Sequence, residues 1–419
     1  MRTPKVEIDM PIHSPADLSG SCDGAPLRHE LRIIENLDMF KAMQGEWDKI
    51  VAAAADYSLC LTYQYCELAA ELLLAKNGII AVATVHDDHE LLALWPLGIQ
   101  RKGGLRIARA LTCGSNEEYG GALVKGAASS AVVAEALRAI MRAPADVVEF
   151  FMAQDGSLLQ QALAQAPQSW LLPLLPKRMG RLPGYTIRLR GFSQWDNFTA
   201  TLQPAFRTNL RRCLNRLNEQ GHTAIGWCTT VEDAEAVLTW LFANKRHWAE
   251  TRGIKTKFLM DEQVREFFIA LARRTDLPTT PLVAFVKLDG VPVAASLNLV
   301  GRRTIEGFIT TYDEAFSRYS VGTMLMNSMA KWAHANCLDF DLRPLHAHFK
   351  AVWANHITSH CTRTIFLSPR GRLMEISLLN QYGSRVRRKF WTVSVGAFTR
   401  IKASISRTLK PSRFKGSSA

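Results

Sequence analysis

The segment SRYSVGTMLM, residues 317–326, lies where a run of alternating apolar residues gives way to a helical pattern. The first N–H groups of a helix have no partner within the helix and carry about half a positive charge, so such a turn can bind a phosphate. A glycine in the turn lets the backbone approach a phosphate oxygen closely. We therefore predict an anion site whose members are Arg318, Ser320, Val321, Gly322 and Thr323. The structural alternative is an ordinary helix capped by Ser320.

Four residues near this turn have side chains that move protons or bind anions. Glu306 and Tyr312 belong to the strand that leads into the turn, and Asp341 and Lys350 belong to or follow the next strand. A carboxyl or phenol group can exchange a proton during group transfer, and an ammonium group can bind an anionic substrate. Each residue also has a plain structural interpretation, as a strand surface residue, a packing residue, a loop cap or a surface lysine.

The composition is that of a globular protein with excess positive charge. The chain has 419 residues, a length that suggests two or three domains, and its net charge is +13. This charge favours an anionic partner such as a nucleotide cofactor, nucleic acid or an anionic membrane surface. The eight cysteines include no C-x-x-C pair and no Cys/His set with zinc spacing, so we expect no metal and reduced thiols. No apolar window is long enough for a spanning helix, and no G-x-S-x-G motif indicates a serine hydrolase.

The apolar pattern predicts an α/β (α+β) fold in which one order of elements occurs twice. In each half, helices precede an antiparallel meander, and a helix and a further strand follow. Residues 82–85, 88 and 92–93 are repeated in type at 283–286, 289 and 293–294, a constant offset of 201 residues. We therefore predict a tandem duplication. The predicted helices cover 40–55, 63–76, 131–143, 206–221, 232–250 and 262–275, and the predicted strands cover 79–85, 91–97, 105–111, 146–153, 185–190, 281–288, 291–300, 303–311 and 337–343.

Four stretches of the second half carry a family resemblance. They are the arginine-rich helix FRTNLRRCLNRLNEQG, the hairpin AFVKLDGVPVAASLNL, the segment GFITTYDEAFSRYSVGTMLM and the segment FDLRPLHAHFKAVWA. In their order and spacing they resemble the CelD/BcsL acetyltransferase family, which is linked to cellulose and other exopolysaccharide synthesis. Its members look like two fused GNAT modules, each a mixed, mostly antiparallel sheet flanked by helices. Phe349 and Leu345 depart from the tyrosine and glycine that are usual in the family.

The resemblance implies a fold, a cofactor and a set of site residues. The turn described above would bind the diphosphate of acyl-CoA or acetyl-CoA, and Tyr312, Asp341, Lys350 and Glu306 would be the catalytic candidates. The acceptor would be an amine or hydroxyl of an exopolysaccharide or cell-envelope precursor, held by these basic residues: Arg207, Arg211 and Lys350. The loop at 111–124 is assigned to the corresponding turn of the first half, where Glu117 and Glu118 would repel a phosphate, so that half would lack its own cofactor site.

The predicted organisation is an N-terminal arm at 1–30, a first module at 31–180, a second module at 181–370 and a basic C-terminal helix or tail at 371–419. We expect a cytoplasmic protein, with contact to the inner membrane surface through the basic tail as an option. Two alternatives stay open. The same architecture resembles the FemAB-type aminoacyl transferases, which use aminoacyl-tRNA, and a duplicated scaffold that has lost catalysis is the third possibility.

Overall fold

The computed structural model describes residues 26–379 except 89, 116, 127, 128, 255 and 256, together with Gln381 and Gly383. Within these residues the strands form one mixed sheet of 13 strands. The strands are β1 (Arg28–Ile34), β2 (Ile79–His86), β3 (Leu91–Lys102), β4 (Leu105–Ala110), β5 (Leu123–Val124), β6 (Val147–Gln154), β7 (Leu182–Ile187), β8 (Thr223–Trp227), β9 (Val283–Leu288), β10 (Val291–Val300), β11 (Thr304–Tyr312), β12 (Asp339–Pro344) and β13 (His356–Phe366).

Helices cover both faces of this sheet. The α-helices in the described part of the chain are α1 (Leu37–Lys41), α2 (Gln44–Ala53), α3 (Tyr63–Leu74), α4 (Ser130–Ile140), α5 (Leu158–Leu163), α6 (Leu171–Leu174), α7 (Lys177–Gly180), α8 (Trp195–Thr201), α9 (Pro204–Asn218), α10 (Val231–Thr251), α11 (Lys257–Met260), α12 (Glu262–Arg274), α13 (Val321–Ala335) and α14 (His348–Trp353). Short 3₁₀ helices cover Leu59–Leu61, Glu314–Tyr319 and Pro369–Arg372.

The two halves of the sheet are built in the same way. In the first half, β1 to β4 pair antiparallel in chain order, and β4 then pairs parallel with β6. In the second half, β8 to β11 pair antiparallel in chain order, and β11 then pairs parallel with β12. In both halves one helix, α4 or α13, separates the parallel strands. The predicted fold class, a pair of fused mixed modules flanked by helices, is confirmed.

The offset of 201 residues is present in the register of the hairpins. Val85 pairs with Ala93 on β2 and β3, and Val286 pairs with Ala294 on β9 and β10. In each hairpin a register shift follows this pair immediately. The tight turn between β9 and β10 is made by Asp289 and Gly290, both at positive φ, as a two-residue hairpin with right-handed twist requires.

The halves are joined at the centre of the sheet by an exchange of strands. Across the junction the strand order is β6, β13, β7, β12. Thus β7, which follows the first half in the chain, pairs with β12 of the second half, and β13, which follows β12, pairs with β6 of the first. The strands β7 and β13 pair with each other. Each half of the sheet is therefore completed by a strand that follows the other half in the chain: β7 follows β6 and completes the second half, and β13 follows β12 and completes the first.

The largest apolar cluster also spans both halves. On one face of the sheet, α1 to α3 and α10 to α12 pack into one core, in which the rings of Tyr65 and Phe267 lie 4.9 Å apart. Two further clusters cover the opposite face, one for each half. Burying these apolar surfaces together makes separation of the halves unfavourable.

Several elements differ from the predictions. The predicted helix at 40–55 is split into α1 and α2, and β1, β8 and β13 were not predicted. Strand β1 begins at Arg28, inside the segment that we assigned to the arm, whereas residues 1–25 lie outside the described residues. Helix α9 ends at Asn218, three residues before the predicted end at 221.

The basic C-terminal segment is described only at its start. Residues 373–379 are helical, and the side chain of Glu375 accepts hydrogen bonds from the Ser169 hydroxyl (2.6 Å) and the Trp170 N–H (3.1 Å). Apart from Gln381 and Gly383, the rest of the predicted tail lies outside the described residues. Within the described part of the chain, no helix combines the length and the apolar character needed to cross a bilayer.

Candidate functional site

The site is built where β11 and β12 separate. These parallel strands pair only from Thr304 opposite Asp339 to Glu306 opposite Asp341. Beyond that point β11 continues beside β10, while β12 turns towards β7 and reaches Pro344 through a register irregularity. The edges that face each other across the gap therefore have backbone groups without a strand partner.

Helix α13 begins at one end of this gap with free amides. Its N-terminal residue is preceded by Ser320, which has φ 55° and whose side chain makes no capping hydrogen bond, so the structural alternative of a helix capped by the Ser320 side chain is wrong. The Ser320 carbonyl accepts the N–H groups of Thr323 (2.9 Å) and Met324 (3.1 Å). The N–H groups of Val321 and Gly322 have no partner among the described residues. They lie at the N-terminus of a 15-residue helix, the end whose free amides and positive dipole favour anions.

A cavity of about 690 Å³ fills the gap between the strands. Its walls come from β11, from the start of α13, from the loop after β12 and from the first half of the chain. The predicted site residues that line it are Tyr312, Ser320, Val321, Gly322, Thr323 and Lys350. The turn therefore opens onto a space of the size that ligands occupy in proteins.

Backbone amides of β11 also face the gap. The N–H of Asp313 donates to the carbonyl of Val293 at 2.9 Å, so this pair is hydrogen bonded across the ladder with β10. Because bonded and non-bonded pairs alternate in antiparallel sheets, the backbone groups of Thr310 and Tyr312 point away from β10. The Thr310 carbonyl agrees with this, because it accepts a hydrogen bond from the Lys245 ammonium at 3.0 Å. The N–H groups of Thr310 and Tyr312 are thus directed at the cavity.

Arg343 contacts residues of both halves of the chain beside the cavity, and it was not identified from the sequence. It is 9% exposed and has φ 66°, a strained conformation for a residue with a side chain. Its guanidinium pairs with the Glu306 carboxylate at 3.0 Å, donates to the Glu117 carbonyl, and lies over the ring of Tyr119 at 4.5 Å. No pattern in the sequence indicates these partners, because two of them belong to the first half.

Glu306 lies behind this arginine and does not line the cavity. It is 5% exposed and accepts hydrogen bonds from Arg343 and from the Ser58 hydroxyl. Burial raises the pKa of Glu306 to about 7, although the positive charge of Arg343 opposes the shift. Its contacts are those of a buried structural carboxyl group, and they do not place it against a substrate.

Asp341 also points into this network. Its carboxylate accepts the N–H of Arg343 at 2.6 Å, and burial raises its pKa. The hydroxyl of Tyr119 lies near enough to Asp341 to affect its pKa, yet that buried hydroxyl makes no hydrogen bond in the described structure. Asp341 holds the strained turn at Arg343 and is not among the residues that line the cavity.

Two lysines line the cavity. The Lys350 ammonium donates to the carbonyls of Arg343 (3.1 Å) and Pro344 (2.9 Å), and Lys245 lies over the ring of Trp248 at 4.1 Å. Burial lowers the pKa of each lysine to about 8. Lys245 was missed because its helix reads as a plain amphipathic helix, with no sign of which positions approach β11.

The predicted arginines lie elsewhere. Arg318 is exposed and donates to the Tyr319 hydroxyl at 2.6 Å, so its guanidinium is not a wall of the cavity. Arg207 and Arg211 line a separate groove of about 440 Å³ between α8, α9 and α13. The groove and the cavity are neighbours, because Phe206 of the groove and Trp353 of the cavity have ring centroids 5.2 Å apart.

The interpretation of the loop at 111–124 was wrong. In the first half, β4 and β5 both pair with β3, so this loop interrupts a strand and does not precede a helix. Helix α4 begins only at Ser130. Glu118 is buried and accepts hydrogen bonds from the Tyr65 hydroxyl (2.5 Å) and the Cys113 N–H (3.1 Å), whereas Glu117 lines the cavity of the second half.

The buried carboxyl of Glu306 predicts a pH dependence of stability. The folded protein keeps the proton up to a pH of about 7, whereas an ordinary glutamate loses it near 4.5. The raised pKa of Glu306 therefore contributes on the order of 3 kcal/mol to the free energy of unfolding. This contribution is complete below a pH of about 4.5 and is lost as the pH rises to about 7. We expect Glu306→Gln to flatten this slope when the free energy of unfolding is measured by urea titration across that range. Equal slopes for the variant and the unmodified protein would contradict the prediction.

Comparison with known proteins agrees with this geometry. Residues 204–357 match the family model described as "Acetyltransferase (GNAT) domain". This part of the chain is similar to a GNAT-type acetyltransferase domain. The matched range includes α9, the cavity turn, Arg343 and Lys350, and ends in β13. No protein with a curated function matches the chain.

Solved structures are similar to most of the chain, and one of them has a TM-score above 0.5. The crystal structure of FemX is similar with a TM-score of 0.57 and 11% identity, covering 82% of this chain and 99% of that one. A conserved protein of unknown function from Bacteroides thetaiotaomicron VPI-5482 has a TM-score of 0.46 and 11% identity over 80% and 99% of the two chains. L-PGS from Bacillus licheniformis has a TM-score of 0.42 and 12% identity over 81% and 96%. At these identities the likeness to FemX concerns the fold, and the narrower resemblance to the CelD/BcsL family stays a prediction.

Proposed function

We propose that the protein transfers an acyl group from a coenzyme A thioester to an amine or hydroxyl of an exopolysaccharide or other cell-envelope precursor. The observation that carries the proposal is the pair of free amides, Val321 and Gly322, which open onto the cavity between β11 and β12. The acetyltransferase family match over residues 204–357 supports the donor class. The acceptor class depends on the family resemblance of the four sequence stretches.

The residues around the cavity fit the parts of such a donor. The amides of Val321 and Gly322, at the positive end of α13, suit a diphosphate. The thioester, when bound, supplies an activated carbonyl group. The N–H groups of Thr310 and Tyr312 then face the space along β11 and can stabilise the developing negative charge on its oxygen. Each such preorganised donor is worth about 3 kcal/mol in other enzymes that use an oxyanion hole.

The cations in the walls suit an anionic ligand. Lys245, Arg343 and Lys350 all line the cavity, and the Lys350 ammonium is held by two carbonyls at the end of β12. Their positive charge in a partly buried space attracts phosphates or carboxylates more strongly than the same charges would in water. A phosphorylated or acidic sugar precursor would meet these requirements, and this is the acceptor class that we propose.

The FemAB-like alternative draws its acyl group from aminoacyl-tRNA. The observation that favours it is the exposed basic ridge on α9, made of Arg207, Arg211, Arg212 and Arg216. A ridge of this kind can contact phosphates of a nucleic acid, with strong dependence on salt. An inactive scaffold is the third candidate.

Calorimetry with acetyl-CoA, free coenzyme A and aminoacyl-tRNA separates these functions. Under the proposal, the protein binds acetyl-CoA and coenzyme A, and the affinity does not change when the arginines of the α9 ridge are replaced. Binding of aminoacyl-tRNA alone, with affinity that falls steeply as salt rises, would replace the proposal by the tRNA-dependent alternative. Failure to bind any of the three ligands would leave the inactive scaffold as the remaining candidate function.

A further inference from the structure

The first half of the chain sends one loop into the site of the second half. Strand β11 runs without a break from Thr304 to Tyr312 beside β10, but its counterpart in the first half is divided into β4 and β5. Residues 111–122 leave the sheet between these two strands. They form the part of the first half that contains Glu117, Glu118 and Tyr119.

This loop is held by contacts with both halves of the chain. Glu118 accepts hydrogen bonds from Cys113 and Ser115 within the loop and from the Tyr65 hydroxyl of α3, which joins the loop to the core of the first half. Tyr119 stacks on His360 of β13, with ring centroids 5.8 Å apart. Arg343 of the second half donates to the Glu117 carbonyl. The loop therefore holds a defined position beside the cavity.

The carboxylate of Glu117 has no partner in this arrangement of the described residues. Its backbone N–H and carbonyl are hydrogen bonded, but its carboxylate makes no hydrogen bond or ion pair within the described residues. Among the described residues that line the cavity, Glu117 is the one carboxylic acid. Burial raises its pKa, and the nearby charge of Arg343 opposes that shift. A partly buried carboxylate without a partner is unfavourable unless a ligand supplies one.

The other carboxylates near the cavity, and its two lysines, are already engaged. Glu306 pairs with Arg343 and Ser58, and Asp341 accepts the backbone N–H of Arg343. The two lysines donate to backbone carbonyls as ammonium groups. Of the four catalytic candidates from the sequence, only Tyr312 and Lys350 line the cavity, and neither is a carboxylate. Glu117 is thus left as the acid that a substrate can reach.

We propose that Glu117 is the general base for the acceptor, and that the acceptor is consequently a primary amine that arrives as its ammonium form. This inference rests on the proposed acyl transfer and selects between its amine and hydroxyl versions. An ammonium group is attracted by an unpaired carboxylate, whereas a hydroxyl is too weak an acid to be deprotonated readily by one.

The proton balance of the step is complete with Glu117 alone. Its carboxylate takes one proton from the acceptor ammonium, and the freed nitrogen lone pair forms the C–N bond to the thioester carbonyl carbon. As the C–S bond breaks, the sulfur leaves with the bonding electron pair and takes the second nitrogen proton, which gives the thiol. The proton on Glu117 then passes to solvent, and the base is restored.

The test compares two nucleophiles with the Glu117→Gln variant. Ethanolamine is an ammonium ion near neutral pH and needs a base, whereas hydroxylamine is uncharged there and does not. Acetyl-CoA is the donor, and release of the coenzyme A thiol is followed with a colorimetric thiol reagent. We expect the variant to lose about 100-fold or more of its rate with ethanolamine, and to keep its rate with hydroxylamine within a few-fold. The acidic limb of the ethanolamine pH–rate profile should move to higher pH in the variant, because the rate then depends on the fraction of ethanolamine that is already deprotonated.

Two controls separate this inference from the proposed function. Glu219→Gln removes an exposed carboxylate after α9 and should leave both rates unchanged. Acetyl-CoA binding of Glu117→Gln should equal that of the unmodified protein, and its melting temperature should not be lower. An unmodified protein that fails to bind acetyl-CoA would overturn the acyl-transfer function itself. If acetyl-CoA binds and Glu117→Gln keeps full activity with ethanolamine, or if the unmodified protein uses hydroxylamine but not ethanolamine, the role of Glu117 is overturned.

Discussion

Replacing Gly322 with glutamate is expected to abolish measurable binding of acetyl-CoA. Gly322 is the second residue of α13, and one of the two free amides belongs to it. A Cβ there would lie 3.3 Å from the ring of Tyr312, and the added carboxylate would stand where the account places a diphosphate. Close repulsion between two anions of this kind, together with loss of the amide contact, predicts a weakening of at least about 100-fold in calorimetry.

A matched glycine provides the control for this prediction. Gly45 is also the second residue of a helix, α2, and a Cβ there meets nothing within 4 Å. Gly45→Glu should bind acetyl-CoA with unchanged affinity and should have an unchanged melting temperature. If Gly322→Glu binds acetyl-CoA as well as Gly45→Glu does, the start of α13 is not the diphosphate site.

Replacing Arg343 with methionine is expected to destabilise the protein more than any other single change considered. Arg343 is buried and pairs with Glu306, a residue that is 5% exposed. Removing one partner of a buried pair leaves an uncompensated charge, which costs about 3–5 kcal/mol. The loss should be largest above pH 7, where Glu306 is ionised, and smaller under mildly acidic conditions, where it holds its proton. Urea unfolding at two pH values measures both effects.

Two further variants test the cause of that loss. Combining Arg343→Met with Glu306→Gln removes the unpaired charge and should restore a large part of the stability above pH 7. Arg318→Met changes an exposed arginine on the other side of the turn and should change stability by no more than about 0.5 kcal/mol. A double variant as unstable as Arg343→Met alone would show that the pairing with Glu306 is not the reason for its effect.

The sequence was informative where structure depends on neighbours along the chain. The apolar alternation and the Asp289-Gly290 turn defined the β9–β10 hairpin, and the offset of 201 residues located its counterpart. The change from strand to helix at Ser320 located the free amides. These features follow from local periodicity and turn chemistry, which one sequence contains in full.

The sequence was uninformative where structure depends on contacts across the chain. Strand β13, His356–Phe366, is rich in histidine and threonine and does not read as a central strand, yet it pairs with both β6 and β7. The contact between Arg343 and Glu117 joins residues 226 positions apart. Strands exchanged between the halves bring such residues together, and no local pattern encodes that exchange.

The candidate site shows the same division. Tyr312, Lys350 and the turn residues 320–323 line the cavity, as expected of residues adjacent to the strand and turn that were predicted. Glu306 and Asp341 face the network of Arg343 and not the cavity. Strand residues alternate between the two faces of a sheet, and the sequence alone did not give the register that decides which face each residue takes. Arg318 was predicted from its proximity in sequence to Gly322, but its guanidinium is bound to Tyr319.

The most direct test of the account is a crystal structure of the protein with coenzyme A. We predict that diphosphate oxygens lie about 2.7–3.2 Å from the backbone nitrogens of Val321 and Gly322, and that the thiol end lies beside the amides of Thr310 and Tyr312. Coenzyme A held instead in the groove of Arg207 and Arg211, with the amides of α13 facing only water or protein, would show that the start of α13 is not the diphosphate site.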